Sequence, residues 1–280
     1  SLRRVETLLR TGMLREARRE LRLVAMDFIW ARARGRPRKL LQRAEPERHW
    51  HGGPVPRRRF DRRARAIHAR RAELLPQMAE LMDRAGLFYF AWRLGPRASD
   101  PERRRHPRGY PREVLRVAKG YGLDPNVLWA IMKTESSFRP DAISRAGARG
   151  LMQVMPITAQ LIAREMKIAR LDLDRLFEPE LSLEMAGWYL SRVLTKFRGQ
   201  LMLAAAGYNG GPHNVARWLR IRGQGTARDE FIEEIPFAES RRYAKKILRL
   251  VALYERVYCR KDDRLVSNTL DTTFDPYPYF

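Results

Sequence analysis

The stretch "DPNVLWAIMKTES", from Asp124 to Ser136, decides the fold class. Asp124 can cap a helix with its side-chain oxygen. Pro125 stands at the first helical position, where its missing N–H costs nothing. Leu128, Ile131 and Met132 then define one apolar helical face. Glu135 lies seven residues beyond Leu128, four beyond Ile131 and three beyond Met132, so it falls on that same face. A Glu there is either hydrogen-bonded within the core or kept protonated by poor solvation. Desolvation raises a carboxyl pKa, which is what a general acid at neutral pH requires.

Outward from this helix the same grammar repeats. "PREVLRVAKGYG" reads as a short helix ended by glycine. "TAQLIAREMKI", "PELSLEMAGWYLSRVLTKF", "LMLAAAGYN", "GPHNVARWLRI" and "SRRYAKKILRLVALYERVY" read as further helices. Convincing period-two alternation is absent, so the chain is expected to be all-α. Nearer the N-terminus, Leu14, Ala17, Leu21, Val24 and Phe28 fall at helical spacing, and Gly12 separates them from a shorter helix carrying Val5, Leu8 and Leu9. Together they suggest a helical hairpin. Residues 35–65 break the pattern with Pro, Gly and a high density of Arg, and are expected to form an exposed basic loop. Periodicity returns from Ile67 through Leu74, Met78 and Leu81 to Gly86, followed by the short apolar "FYFAWRLG". "GPRASDPERRRHPRGYP" has the composition of an interdomain linker. The expected division is an Arg-rich helical segment over 1–106 and a second domain over 107–280 that ends in a C-terminal tail.

The 280 residues carry a net charge of +24, of which +16 lies in residues 1–106. Such an excess either decorates solvated helices or favours an anionic partner such as nucleic acid, a membrane surface or an acidic polymer. No recognition helix or RNA-binding signature accompanies it. The single Cys259 excludes an intramolecular disulfide and a multi-cysteine metal site. No apolar run approaches the roughly 18 residues of a transmembrane helix.

Behind Glu135, "SRAGARGLMQVMP" places Gly147, Ala148 and Gly150 in a turn and follows them with Leu151, Met152, Gln153, Val154 and Met155. Glycines permit close backbone approach to a ligand. Gln153 has both donor and acceptor for sugar hydroxyls or an acetamido group, and Met155 can cover an apolar face or simply fill core. Further on, Tyr208 and Asn209 end a small-residue helix at Gly210-Gly211. Tyr243, near the start of the last long helix, either packs in the core or sends its hydroxyl into a cleft.

Four fragments in this order, "ESSF", "GARGLMQVMP", "GYNGGPHNVARW" and "IPFAESRRYAKKIL", resemble the catalytic domain of the soluble lytic transglycosylases, within the goose-type lysozyme superfamily. The resemblance spans about residues 107 to 258. The helical segment before it is similar, more weakly, to the end of the α-superhelical region that precedes this domain in those enzymes. The basic loop over 35–65 departs from that pattern. The resemblance implies a lysozyme-like helical domain that cleaves the β-1,4 bond between N-acetylmuramic acid and N-acetylglucosamine without water, leaving 1,6-anhydromuramoyl ends. By motif position Glu135 would be the sole acid/base, with the substrate's acetamido group in place of a second carboxylate. Ser144 and Gln153 would orient sugar substituents, and Met155 would line the apolar side of the subsite. Tyr243 would point at the acetamido group or at Glu135. Tyr208 and Asn209 would shape the cleft or touch sugar. Asp141 and Glu239 are expected to be structural, the latter as a helix-start anchor. The histidines, His213 among them, show no ligand spacing, and neither metal nor cofactor is implied. The implied partner is the peptidoglycan glycan strand, with a cell-wall protein complex also compatible, and the implied location is the periplasm or cell envelope. Two competing readings are a lysozyme-like hydrolase on the same fold, which would leave reducing ends, and a non-catalytic basic protein that binds cell wall or nucleic acid.

Overall fold

The computed structural model describes residues 2–22, 74–94, 101–222 and 227–259. The expected loop over 35–65 and the core positions Val24, Phe28 and Ile67 lie outside them. The chain divides into two units, Ser1–Pro107 and Arg108–Phe280. Among the described residues every regular element is helical. Extended pairing takes the form of isolated bridges, among them Ile143 with Arg149 and Arg149 with Val154. No helix among them is long and apolar enough to cross a membrane.

The first unit contains α1 (Leu2–Arg10), α2 (14–22), α3 (74–84), α4 (Phe88–Leu94) and α5 (Pro101–Arg105). Gly12, at φ 76°, makes the turn between α1 and α2. Val5, Ala17, Leu21, Met78 and Met82 pack in one buried cluster, so the helical hairpin does have a core face. Arg18 ties α2 to the end of α3 by donating to the Ala85 carbonyl at 2.6 Å. Leu14 departs from expectation. It stands 43% exposed although it shares the periodic face of Ala17 and Leu21. Periodicity marks a face, and only packing decides how much of it is covered. The expected linker also contains a short helix, α5, opened by Pro101.

The second unit runs α6 (Pro111–Tyr121), α7 (Pro125–Glu135), α8 (Pro156–Glu165), a 3-10 turn (Leu173–Phe177), α9 (Pro179–Lys196), α10 (Leu201–Gly210), α11 (Pro212–Arg222), α12 (Arg228–Glu234) and α13 (Ala238–Cys259). The 3-10 turn and α12 are too short to show a period and were not expected. Asp124 caps α7 as its position suggests, its Oδ1 accepting from the Asn126 N–H at 2.8 Å. Yet α7 is not amphipathic. Every residue from Asn126 to Met132 is buried, with α13 and α6 packed against the helix. Trp129 donates to the Gly109 carbonyl at 2.9 Å and stacks on Tyr254 of α13. The desolvation expected at Glu135 thus has a different origin. The carboxylate ends a helix sunk in the domain, rather than sitting on the inner face of a surface helix.

Candidate active site

Glu135 is the last residue of α7, and the chain turns away at once. Ser137 and Phe138 both adopt the left-handed region, at φ 52° and 68°. Two successive non-glycine residues there cost on the order of 1–3 kcal/mol each. The buried ring of Phe138, with no exposed surface, holds the second in place. At this hook Glu135 is half-buried.

From α13, Tyr243 donates its hydroxyl to Glu135 Oε1 at 2.6 Å. Burial pushes the Glu135 pKa up from 4.5 to about 7, and nearby Glu239 adds to the rise. The Tyr243 hydrogen bond and the Lys246 charge oppose it. Burial, reinforced by the Glu135 charge, holds the Tyr208 and Tyr243 hydroxyls well above 10. Tyr243 therefore stays a donor at any pH where the protein works. The site has an enclosed carboxyl poised near neutrality with one fixed donor, as proton transfer in both directions requires.

The loop behind Glu135 folds back on itself. Gly150 donates to the Ala142 carbonyl at 2.9 Å, and Arg149 and Val154 exchange backbone bonds. A Cβ at Gly150 would collide with the Leu176 carbonyl oxygen, and its φ is 77°. Only glycine fits there. Gln153, at φ 49°, donates its Nε2 to the carbonyls of Ala142 and Gly150 at 3.1 and 2.9 Å. Ser144 accepts the Ala148 N–H on its Oγ at 3.0 Å, inside the same turn. Both side chains thus hold the loop with at least part of their hydrogen-bonding capacity.

Met155 sits just before α8, 36% exposed. It lines a hollow together with Gln153, Thr158, Ile162, Tyr189 and Tyr208. Tyr208, from α10, links this hollow to the carboxylate. Its ring stacks on Tyr243 with centroids 6.5 Å apart, and its hydroxyl donates to the Met152 carbonyl at 2.9 Å. Glu135, Tyr243, Tyr208, Gln153 and Met155 are so joined through direct contacts and one loop. Asn209 is bonded to α13. Its Oδ1 accepts from Ser240 at 2.8 Å and its Nδ2 lies 3.5 Å from Glu239, pinning α10 to the first turn of α13. Asp141 is exposed and pairs with Arg139 at 3.6 Å. Among the described residues no group of three or more His, Cys, Asp or Glu is placed to hold a metal.

Sequence reasoning passed over Ser182 and Tyr189. Ser182 Oγ accepts the Met152 N–H at 3.2 Å, and the Tyr189 ring meets Tyr208 edge-on at 5.6 Å. A signal existed, because Ser182, Ala186 and Tyr189 follow at spacings of four and three and so share one face of α9.

Residues 114–231 match the family model of the transglycosylase SLT domain. The chain is 33% identical over 159 residues to the soluble lytic murein transglycosylase of Salmonella typhimurium, covering 56% of this chain and 25% of that protein. Among solved structures it is similar to an inactive Glu-to-Gln mutant of the lytic transglycosylase Slt from Pseudomonas aeruginosa. The TM-score is 0.59 at 27% identity, covering 96% of this chain and 52% of that one. It shares its fold with the 70 kDa soluble lytic transglycosylase of Escherichia coli, with a TM-score of 0.59 at 22% identity, covering 91% and 45%. Residues 114–231, within the second unit, thus match a transglycosylase SLT domain, and three of the four motifs fall inside that match. The chain spans a quarter of the Salmonella protein's length and about half of each solved chain.

Proposed function

We propose that this chain is a lytic murein transglycosylase that cleaves the β-1,4 bond between N-acetylmuramic acid and N-acetylglucosamine in peptidoglycan. The observation that carries the reading is the Glu135 carboxyl, raised to about 7 by burial and held by Tyr243. Protonated Glu135 gives its proton to the glycosidic oxygen as the bond to muramoyl C1 breaks. The muramoyl acetamido oxygen stabilises the cation developing at C1. The muramoyl 6-hydroxyl then attacks C1 and returns its proton to Glu135. No water is consumed, and the product ends in a 1,6-anhydro ring. Paired-carboxylate glycosidases need a partner roughly 5 to 9.5 Å from the acid. Here substrate assistance fills that role. Glu239, already tied to Asn209, raises the Glu135 pKa and so favours its acid form. In support, the inactive mutant of the Pseudomonas aeruginosa relative is a Glu-to-Gln exchange.

Met155 and Tyr208 line the sugar subsite. Gln153 Oε1 and the Ser144 hydroxyl proton are the groups left to meet sugar substituents, because their other atoms hold the loop. Asn209 shapes the cleft from α10. The substrate places the enzyme in the cell envelope, and the net charge of +24 draws it to carboxylate-bearing glycan strands. The test is to digest purified peptidoglycan and weigh the muropeptides. Anhydro products, lighter by one water than hydrolytic ones, are expected. Reducing ends would make the chain a lysozyme-like hydrolase. No release, beside an active control enzyme, would sink the enzymatic reading.

A further inference from the structure

Met152 is gripped from two helices at once. Its N–H donates to Ser182 Oγ of α9 at 3.2 Å, and its carbonyl accepts from Tyr208 Oη of α10 at 2.9 Å. The Met152 side chain has no exposed surface, and neither does Ser182. Two residues earlier, a Cβ on Gly150 would lie 3.0 Å from that same Ser182 Oγ as well as against the Leu176 carbonyl. The serine oxygen is therefore both the acceptor for Met152 and part of the floor on which Gly150 rests.

Beyond Met152 the chain has little freedom before it reaches the cleft. Gln153 takes a left-handed turn, and Met155 enters the hollow just ahead of Pro156. A shift of the Met152 peptide would be passed on to both side chains. The Glu135 carboxylate is set by α7 and by Tyr243 of α13, whereas Ser182 bonds to the loop at Met152. The acid and the loop have supports that meet where Tyr208 stacks on Tyr243. One holds the acid, and the other holds the loop beside it.

From this juxtaposition we infer that Ser182 is a positioning residue that fixes the Gly150–Met155 loop for saccharide binding and leaves the acid/base group untouched. The inference rests on the transglycosylase reading for its substrate but not for its mechanics. A buried N–H deprived of its acceptor loses a substantial stabilising contact. Ser182→Ala should therefore loosen the loop while α7 keeps its place. Ser182→Cys, of similar size with a weakly accepting sulfur, should restore part of the effect.

Two readouts separate the inference from the functional reading. The first is amide hydrogen exchange on the whole chain, which requires no activity. In Ser182→Ala, peptides covering residues 150–155 should exchange at least about tenfold faster, the ratio that 1.4 kcal/mol of lost protection gives. Peptides of α7 should be unchanged, and Ser182→Cys should fall between. Unchanged exchange over 150–155 would overturn the inference. So would acceleration spread equally over α7 and α9, which marks general destabilisation. The second readout is steady-state cleavage of peptidoglycan. Ser182→Ala should raise KM on the order of tenfold or more, as small misplacements of binding groups do. The alkaline limb of kcat/KM should keep its midpoint. A loss confined to kcat, or a moved limb, would refute the assignment. If the native chain cleaves nothing, the transglycosylase reading fails, and the exchange data still decide the role of Ser182. Should Ser182→Ala fail to fold, the same comparison on Ser182→Cys decides it by the same criteria.

Discussion

Removing the Tyr243 hydroxyl tests how the acid is tuned. In Tyr243→Phe the ring and its stacking on Tyr208 remain, while Glu135 Oε1 loses a donor at 2.6 Å. That donor favours the carboxylate and lowers a pKa that burial has raised to about 7. Its loss must move the pKa further up. A hydrogen bond to a charged group contributes about 1.5–3 kcal/mol, and 1.36 kcal/mol corresponds to a factor of ten in proton affinity. Glu135 is half-buried, so water replaces part of the bond and the smaller figure applies. The alkaline limb of kcat/KM, which reports the free enzyme's acid, should then rise by about one pH unit, from near 7 to near 8. The plateau should fall, because the carboxyl is no longer held in one orientation. The assay is anhydro-muropeptide release from purified peptidoglycan between pH 5 and 9. A limb that stays in place or moves down would refute this account of the site.

Two other perturbations probe the same geometry. Glu135→Gln should abolish cleavage and change how stability depends on pH. The folded pKa of about 7 lies above the ordinary 4.5, so the native state holds an extra proton between those values. Its contribution is complete below about pH 4.5 and is lost as pH rises through 7, to an extent on the order of 3 kcal/mol. Gln cannot ionise, so the variant should gain on the native chain from pH 5 to pH 8 in urea midpoint; a gap that does not change with pH would contradict the burial. Gly150→Ala should cost about 3 kcal/mol or more, since it combines a left-handed φ with overlap on the Leu176 carbonyl. A change within about 0.5 kcal/mol, the range of an ordinary surface substitution, would mean the loop does not approach the 3-10 turn so closely.

Several features of this site could be read before any coordinates. Asp124, Pro125 and the run to Met132 specify a helix through local chemistry, because a cap, a proline at the first position and the apolar spacing act within one or two turns. The glycines at 147, 150 and 211, all at positive φ, mark turns for the same reason. Tyr243 was ambiguous between core and cleft; its side chain is buried, and its hydroxyl reaches Glu135. Ser182 showed its face of α9 through the spacing of Ala186 and Tyr189, but nothing local names its partner thirty residues away.

What the sequence by itself determined was the inventory: helices, their ends, a glycine loop and a carboxylate at the end of an apolar run. These follow from interactions over a few residues, which any short segment carries with it. The tertiary structure decided the chemistry. It buried α7 on all sides rather than one, brought Tyr243 to Glu135 across 108 positions, and pinned Met152 between α9 and α10. A pKa near 7 is a property of that enclosure. Desolvation depends on everything packed around a group, and no stretch of chain contains its own surroundings.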